Sequence, residues 1–324
     1  MKKYLYFLIS LMILLSACAD SNDILFKKAL NKDKQGKKEE ALQIYSKILR
    51  KEPEYYSALV NRAVLYDKLG DQQRAEEDYR RAYDLYPRSM ELLNNMGSFY
   101  LKQDKNGLAI YYLTKALELK KDYFTALINR ASAYQKIGNF YEAEKDLNYA
   151  LQLQPENQVA LLNHAIYEYG VGNYINAAQE FTDLIYKNPK DPRNYYRRAL
   201  AERKLRRYAN ALEDCSNAMS LQKDYVAAIF CRAEMLYAKG DYEAALADLN
   251  SLKTINNKYV AAYDFAGDIL SLDDPESAVS NYKAAMQLDP KNTKRYKSKI
   301  SALKTNSGRK YIATRRLASI DKGE

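Results

Sequence analysis

Small and apolar residues return at a fixed interval along most of the chain. A glycine followed five positions later by an alanine occurs at Gly36 and again at Gly70, 34 positions further on. The same pair begins at Gly138, Gly172 and Gly240. Degenerate copies at 104–109 and 206–211 fill the gaps, and a last copy at 273–278 arrives one residue early. The pattern predicts eight repeated units over residues 24–292.

Each unit contains two stretches of helical periodicity. The second stretch has an alanine at one constant phase: Ala41, Ala75, Ala109, Ala143, Ala177, Ala211, Ala245 and Ala278. Twelve positions earlier, or eleven in the last unit, lies another small residue: Ala29, Ala63, Gly97, Ala131, Ala165, Ala199, Ala233 and Gly267. Small side chains let two antiparallel helices cross closely, with bulkier apolar neighbours filling the seam. The pattern therefore predicts a helical hairpin in every unit.

These hairpins resemble the tetratricopeptide repeat, whose signature is a small residue, a tyrosine, a turn glycine, an alanine, an aromatic residue and a proline. Tyr66, Tyr100 and Tyr134 occupy the signature tyrosine, whereas Glu168 and Glu202 depart from it. The resemblance implies an all-α, right-handed superhelical solenoid of about eight helix-turn-helix repeats. We expect a capping helix over 293–305 to cover the last apolar face. Residues 306–324 are expected to form a basic flexible tail.

The N-terminus is typical of an export signal. Two lysines precede an uncharged stretch over residues 4–15, which is short for a membrane-spanning helix. Leu15-Ser16-Ala17-Cys18 then resembles the bacterial lipobox. The resemblance implies a lipoprotein signal peptide over 1–17, acylation of Cys18 and a lipidated tether over 18–23. The alternative is an ordinary secreted protein that is cleaved nearby.

The net charge of +10 is concentrated at the C-terminus. Residues 291–324 contain eleven Lys or Arg and two acids, whereas the remaining residues contain 40 bases and 39 acids. Behind an export signal, an anionic lipid headgroup or an acidic protein is a more fitting partner than nucleic acid. A solvated tail with no partner is the alternative.

Catalytic chemistry is hard to place in this sequence. The chain has one histidine and three cysteines, which argues against most metal sites built from those residues. His164 occupies the phase of Arg62 and Arg130, so an ordinary helix position is expected for it. Cys215 and Cys231 are assigned to phases that point apart, so no disulfide is expected. We predict no enzyme activity, no cofactor and no metal site.

The first helices of the units supply the candidate binding residues. One phase holds an asparagine in four successive units: Asn61, Asn95, Asn129 and Asn163. In tetratricopeptide domains an asparagine here bonds the backbone of an extended ligand, although simple duplication also explains the series. Arg193 and Arg197, one turn apart, lie where such domains clamp a peptide carboxylate. Two clamp positions hold Ile128 and Ser132 instead, and a solvated basic helix is the alternative.

Together these features predict a non-catalytic scaffold or adaptor lipoprotein of the cell envelope. Its partners would be envelope proteins or peptides, including acidic or C-terminal segments, bound in a concave groove. Ala19 after the acylated cysteine lacks the aspartate that retains some lipoproteins in the inner membrane, which favours the outer membrane. The alternative is a component of an outer-membrane assembly or nutrient-uptake complex.

Overall fold

The computed structural model describes residues 21–322, and all regular structure within this range is helical. The chain divides into two compact units, with the boundary between Leu153 and Gln154. The signal peptide 1–17, Cys18 and the first part of the tether lie outside the described residues. None of the described helices is long and apolar enough to cross a membrane.

The N-terminal unit contains repeats 1 to 4, each made of a first and a second helix. In chain order the helices are α1 (Asn22–Lys34), α2 (Lys38–Lys51), α3 (Tyr56–Lys68), α4 (Gln72–Leu85), α5 (Met90–Lys102), α6 (Asn106–Leu119), α7 (Phe124–Lys136) and α8 (Phe140–Leu153). The predicted tether ends early, because Ser21 caps α1 by accepting a hydrogen bond from the Ile24 amide at 3.3 Å.

The C-terminal unit contains repeats 5 to 8 and two further helices. The repeats comprise α9 (Gln158–Gly170), α10 (Tyr174–Lys187), α11 (Pro192–Lys204), α12 (Tyr208–Leu221), α13 (Val226–Ala238), α14 (Tyr242–Ile255), α15 (Val260–Leu270) and α16 (Pro275–Leu288). A 3₁₀ turn (Pro290–Asn292) leads into α17 (Thr293–Ala302) and α18 (Asn306–Lys322). Within each unit, consecutive repeat helices pack against one another.

The predicted helix crossings are confirmed by burial. The phased alanines are fully buried in all eight repeats, and so are the alanines twelve positions before them. Gly97 has no room for a methyl group, because an added Cβ would lie 2.4 Å from Cγ of Leu113. Two small residues per hairpin therefore set how closely its helices approach.

The turns inside the hairpins need a left-handed backbone conformation. Gly36, Gly70, Gly138, Gly172 and Gly240 have φ between 75° and 89°. Of the three repeats that lack the glycine, two place Asp104 (φ 59°) and Arg206 (φ 58°) in the same conformation. The repeat geometry is thus imposed on residues that adopt this conformation at a cost.

A ladder of ion pairs links helices at a spacing of sixteen residues. In four repeats an arginine of the first helix pairs with an aspartate of the second: Arg62–Asp78, Arg130–Asp146, Arg198–Asp214 and Arg232–Asp248, at 2.5–2.9 Å. Arg62 also donates to Ser46 of the preceding repeat, and Arg198 donates to Thr182, both at 3.0 Å. The guanidinium groups of Arg62 and Arg198 therefore bridge two repeats as well as the two helices of their own hairpins.

The basic tail is not a flexible segment. The sequence predicts mobile chain over 306–324, but Asn306–Lys322 forms α18, which packs against α11, α13, α15 and α17. Ile312 and Ile320 on this helix are buried, with relative exposures of 5% and 0%. Burial of these two side chains against the repeats stabilises α18 as a helix, although the basic composition of the segment indicated a flexible tail.

Candidate functional site

The first helices of successive repeats lie side by side within a unit, as α3 does with α5, α5 with α7, and α11 with α13. We call the surface that they form the first-helix face of that unit. All predicted binding residues of the described chain lie on first helices. The two first-helix faces are therefore the candidate sites, and each is described separately.

The predicted asparagines are partly engaged within the protein. The side-chain amides of Asn61 and Asn163 donate to backbone carbonyls one turn earlier, Ser57 and Val159, at 2.8 Å. Asn129 donates to Asn94 of the preceding repeat at 3.1 Å. Asn61, Asn95 and Asn129 remain half-buried on the N-terminal first-helix face. Each carries an acceptor and two donors, so a bound backbone has hydrogen-bonding groups to exchange with.

The predicted arginine pair divides into two different environments. Arg193 is exposed and pairs with Asp191, the N-cap of α11, at 2.7 Å. Arg197 is half-buried, and its buried Nη1 has no hydrogen-bond partner. Burial, and then the neighbouring charge of Arg193, lowers the pKa of Arg197. Of the two predicted clamp residues, Arg197 is thus the one with unsatisfied capacity for an anion.

The remaining basic residues of repeat 6 have internal partners. Arg198 belongs to the ion-pair ladder, and Arg203 pairs with buried Glu234 of α13 at 2.6 Å. Arg207 lies 3.5 Å from Glu202. Arg198 and Arg203 are therefore engaged with acids of the two following helices, and Arg207 lies near an acid of its own repeat.

Helix α18 covers the C-terminal first-helix face. Arg316 is its anchor: it donates to Asp268 of α15 at 2.6 Å and to Asp264 at 3.0 Å, and it stacks over Phe265 at 4.6 Å. Tyr237 of α13 donates its hydroxyl to the Ala313 carbonyl at 3.1 Å. Ile320 packs into the apolar core of repeats 6 to 8. A segment of this chain therefore occupies the face through apolar contacts and buried ion pairs.

The acids that receive Arg316 also bind α17. Lys299 lies 2.6 Å from both Asp264 and Asp268, and Arg295 lies 2.6 Å from Asp264. Burial opposes ionisation of Asp264, but Lys299 and Arg316 outweigh it and lower its pKa. A cavity of about 590 Å³ adjoins this cluster, lined by residues of α15, α17 and α18. Two carboxylates on one turn of α15 thus fix both C-terminal helices.

The two cysteines of the described chain meet, contrary to the sequence prediction. The sulfurs of Cys215 (α12) and Cys231 (α13) lie 2.6 Å apart and are buried as free thiols. Burial, followed by the contact with Cys231, raises the pKa of Cys215. The prediction fails because the sixteen-residue spacing that joins Thr182 to Arg198 also joins the two cysteines. Cys231 on the first helix α13 faces the preceding second helix, α12, which contains Cys215.

His164 fills the ladder position that its phase indicates. Its Nδ1 lies 2.9 and 3.0 Å from the two oxygens of Glu180, sixteen residues later, in place of an arginine–aspartate pair. The sequence predicts an ordinary helix position, and the ladder contact agrees with it. The partner, however, is a glutamate, and a second glutamate, Glu168, lies 4.0 Å from Nε2.

The sequence reasoning missed the acidic pair on α15 and the helix that binds it. A signal was present, because Ile312, Arg316 and Ile320 are spaced by four and place one apolar and basic stripe on a helix. Asp264 and Asp268 have the same spacing. The basic residue on the stripe of α18 complements the two acids on α15. This complementarity in charge would have indicated the contact between the two helices.

Comparison with known proteins agrees with this architecture. The tetratricopeptide repeat family matches residues 26–90 and 162–220, and two further models of the same repeat match 91–123 and 124–157. A tetratricopeptide repeat protein from Parabacteroides merdae aligns with a TM-score of 0.64 and 22% identity over 76% of this chain and 97% of its own.

A second similar structure is a chain of the APC/C hetero-tetramer Cut9–Hcn1. It aligns with a TM-score of 0.59 and 17% identity, over 92% of this chain and 56% of the other. No curated protein matches the sequence. At these identities the structural matches define the fold alone.

Proposed function

Since the chain belongs to the tetratricopeptide repeat family, we propose that it is a non-catalytic scaffold that binds protein or peptide partners on its first-helix faces. The main observation in support of this proposal is that α18 packs against α11, α13 and α15. A basic helical segment already lies on this face, held by Arg316 and by buried Ile320. Laying a helix into such a groove is a common mode of protein recognition.

Arg197 supports an additional preference for acidic segments or free C-termini. Its Nη1 is buried without a partner, while Arg193 beside it is exposed and paired only with Asp191. A carboxylate that reached Arg197 would satisfy the open donor through a charge-assisted hydrogen bond. The predicted client therefore presents a carboxylate near repeat 6.

The test is binding of fluorescent acidic peptides with a free or an amidated C-terminus, measured by anisotropy. We expect Arg193→Glu combined with Arg197→Glu to weaken binding of the free-carboxylate peptides. Lys190→Glu with Lys223→Glu, two exposed lysines of the same unit, makes the same change in net charge and serves as control. Equal affinity of the Arg193/Arg197 variant and this control would remove repeat 6 from the site.

The cellular address is the second element of the proposal. We infer that the protein is anchored to the cell envelope, on the outer membrane, by acyl chains on Cys18, because a short signal-like segment ends in Leu15-Ser16-Ala17-Cys18. Several acyl chains give stable anchoring where a single chain does not. Cells grown with labelled palmitate should label the wild-type protein and leave Cys18→Ala unlabelled. Equal labelling of both would contradict the anchor.

A further inference from the structure

Repeat 5 breaks the charge pattern of the ladder. In repeat 6 the first-helix arginine, Arg198, pairs with Asp214, and Arg207 lies 3.5 Å from Glu202. Two permanent cations there balance two carboxylates. In repeat 5 the positions of Arg198 and Arg207 are held by His164 and Asn173. An imidazole and an amide thus replace both guanidinium groups.

The carboxylates of repeat 5 are nevertheless kept. Glu180 takes the position of Asp214, with its oxygens 2.9 and 3.0 Å from Nδ1 of His164. Glu168, at the position of Glu202, has a relative exposure of only 9%, and one of its oxygens lies 4.0 Å from Nε2 of His164. Its other oxygen accepts a hydrogen bond from Asn176 at 3.4 Å. Two partly or fully buried carboxylates thus face an imidazole where repeat 6 has two arginines.

The three side chains are close enough to share one cation. A ligand atom of His164, one of Glu168 and one of Glu180 all lie within 4.8 Å of one another. Zinc binds nitrogen and carboxylate oxygen at about 2.0–2.2 Å, which in a tetrahedron separates the ligand atoms by about 3.3 Å. The glutamate side chains would need to move by about 1 Å to close on an ion.

We propose that His164, Glu168 and Glu180 form a binding site for a divalent transition-metal cation, with Zn²⁺ as the best-matched ion. The imidazole selects transition metals over Ca²⁺ and Mg²⁺, which take oxygen ligands. Three protein ligands leave one tetrahedral position for water. The cation supplies the positive charge that Arg198 and Arg207 supply in repeat 6.

The test uses the full-length chain, purified in detergent without a polyhistidine tag and stripped with EDTA. Titration with ZnCl₂ at pH 7.5, followed by calorimetry, should give one site per chain. Because ligands that bind only the native state stabilise it, a hundredfold excess of Zn²⁺ over Kd should raise the Tm by about 5 °C. Absence of binding, or equal affinity for Ca²⁺, contradicts the proposal.

Two variants separate the site from adventitious binding. His164→Arg recreates the arginine of the other repeats, so it should fold with an unchanged metal-free Tm while Zn²⁺ affinity falls at least about tenfold. Glu168→Gln keeps the His164–Glu180 contact and should cause a similar loss. Cys231→Ser removes one of the two buried thiols, Cys215 and Cys231, which are the alternative zinc ligands in the described chain. This variant should leave the Zn²⁺ affinity unchanged. Wild-type affinity in His164→Arg, or a loss confined to Cys231→Ser, overturns the assignment.

Discussion

The two first-helix faces are built from the same repeat but present different surfaces. At one common phase the N-terminal unit has Asn61, Asn95 and Asn129, which are half-buried. The C-terminal unit has Cys231 and Phe265 at this phase in its last two repeats, with relative exposures of 2% and 0%. Arg316 of α18 stacks over Phe265, so the covered face has exchanged polar groups for apolar ones.

This difference shows how one scaffold acquires two kinds of surface. The phased alanines determine how closely the two helices of each hairpin pack in both units. They place no constraint on the residue type at the first-helix position that holds asparagine in one unit and Cys231 or Phe265 in the other. Where that phase is polar, the face can remain hydrated. Where it is apolar and flanked by Asp264 and Asp268, the face needs a covering helix that brings both basic and apolar side chains, which α18 provides.

The largest effect is expected when helix α18 is repelled electrostatically from Asp264 and Asp268. Arg316→Glu would place a third carboxylate beside buried Asp264 and Asp268, and breaking such a buried pair costs about 3–5 kcal/mol. We expect α18 to detach while the repeats stay folded. Hydrogen exchange should accelerate over 306–322 and 260–270 and stay unchanged in the N-terminal unit.

Arg315→Glu is the matched control for that experiment, since it makes the same charge change one residue earlier on an exposed side chain. Its exchange pattern should match the wild type. Equal deprotection by both variants would mean that net charge, and not the contact with α15, holds α18.

A larger side chain at a helix crossing of repeat 4 should destabilise the N-terminal unit alone. Ala143 is fully buried in the hairpin of repeat 4. Ala143→Leu forces extra volume into that seam and should cost about 1–3 kcal/mol. Urea unfolding of this variant should show a lower midpoint, and hydrogen exchange should place the loss in the N-terminal unit. A wild-type midpoint would show that the crossing tolerates a large residue.

Acid should loosen the covered face by titrating its anchor. Lys299 and Arg316 outweigh the effect of burial and lower the pKa of Asp264 below its ordinary value of 3.8. A lowered carboxylate pKa in the folded state stabilises that state above the ordinary pKa, and this contribution is lost as the pH falls through the folded value. Pepsin should therefore cut within 306–322 progressively faster below pH 3.8. An unchanged cleavage rate between pH 4 and pH 2 would contradict the role of the acid pair.

The smallest expected effect is a stabilisation at a turn. Arg206 has a φ of 58°, a conformation that five other hairpins assign to glycine. Arg206→Gly removes a strained β-carbon and should raise the free energy of unfolding by about 1 kcal/mol. Gly138→Ala makes the reverse change at an equivalent turn and should lower it by a similar amount. The two variants should shift the urea midpoint in opposite directions.

The repeats could be predicted from the sequence because eight phased small residues report directly on helix crossings. The contacts at a spacing of sixteen, such as Cys215 with Cys231, could not, because a helical phase does not say which neighbouring helix it faces. Helix α18 was also missed. The sequence predicted a flexible tail from residue 306, yet Asn306 begins the helix, and burial of Ile320 outweighs the low helix propensity of Gly308.

Binding of α18 in trans tests the scaffold account most directly. A labelled peptide of residues 306–322 would be titrated with a chain ending at residue 305, whose folding is first checked by circular dichroism. We predict saturable binding to the shortened chain and at least about tenfold weaker binding to the intact chain, where tethered α18 competes at high effective concentration. A folded, shortened chain that fails to bind the peptide, or an intact chain that binds it equally well, would contradict a polypeptide-binding role for the first-helix face.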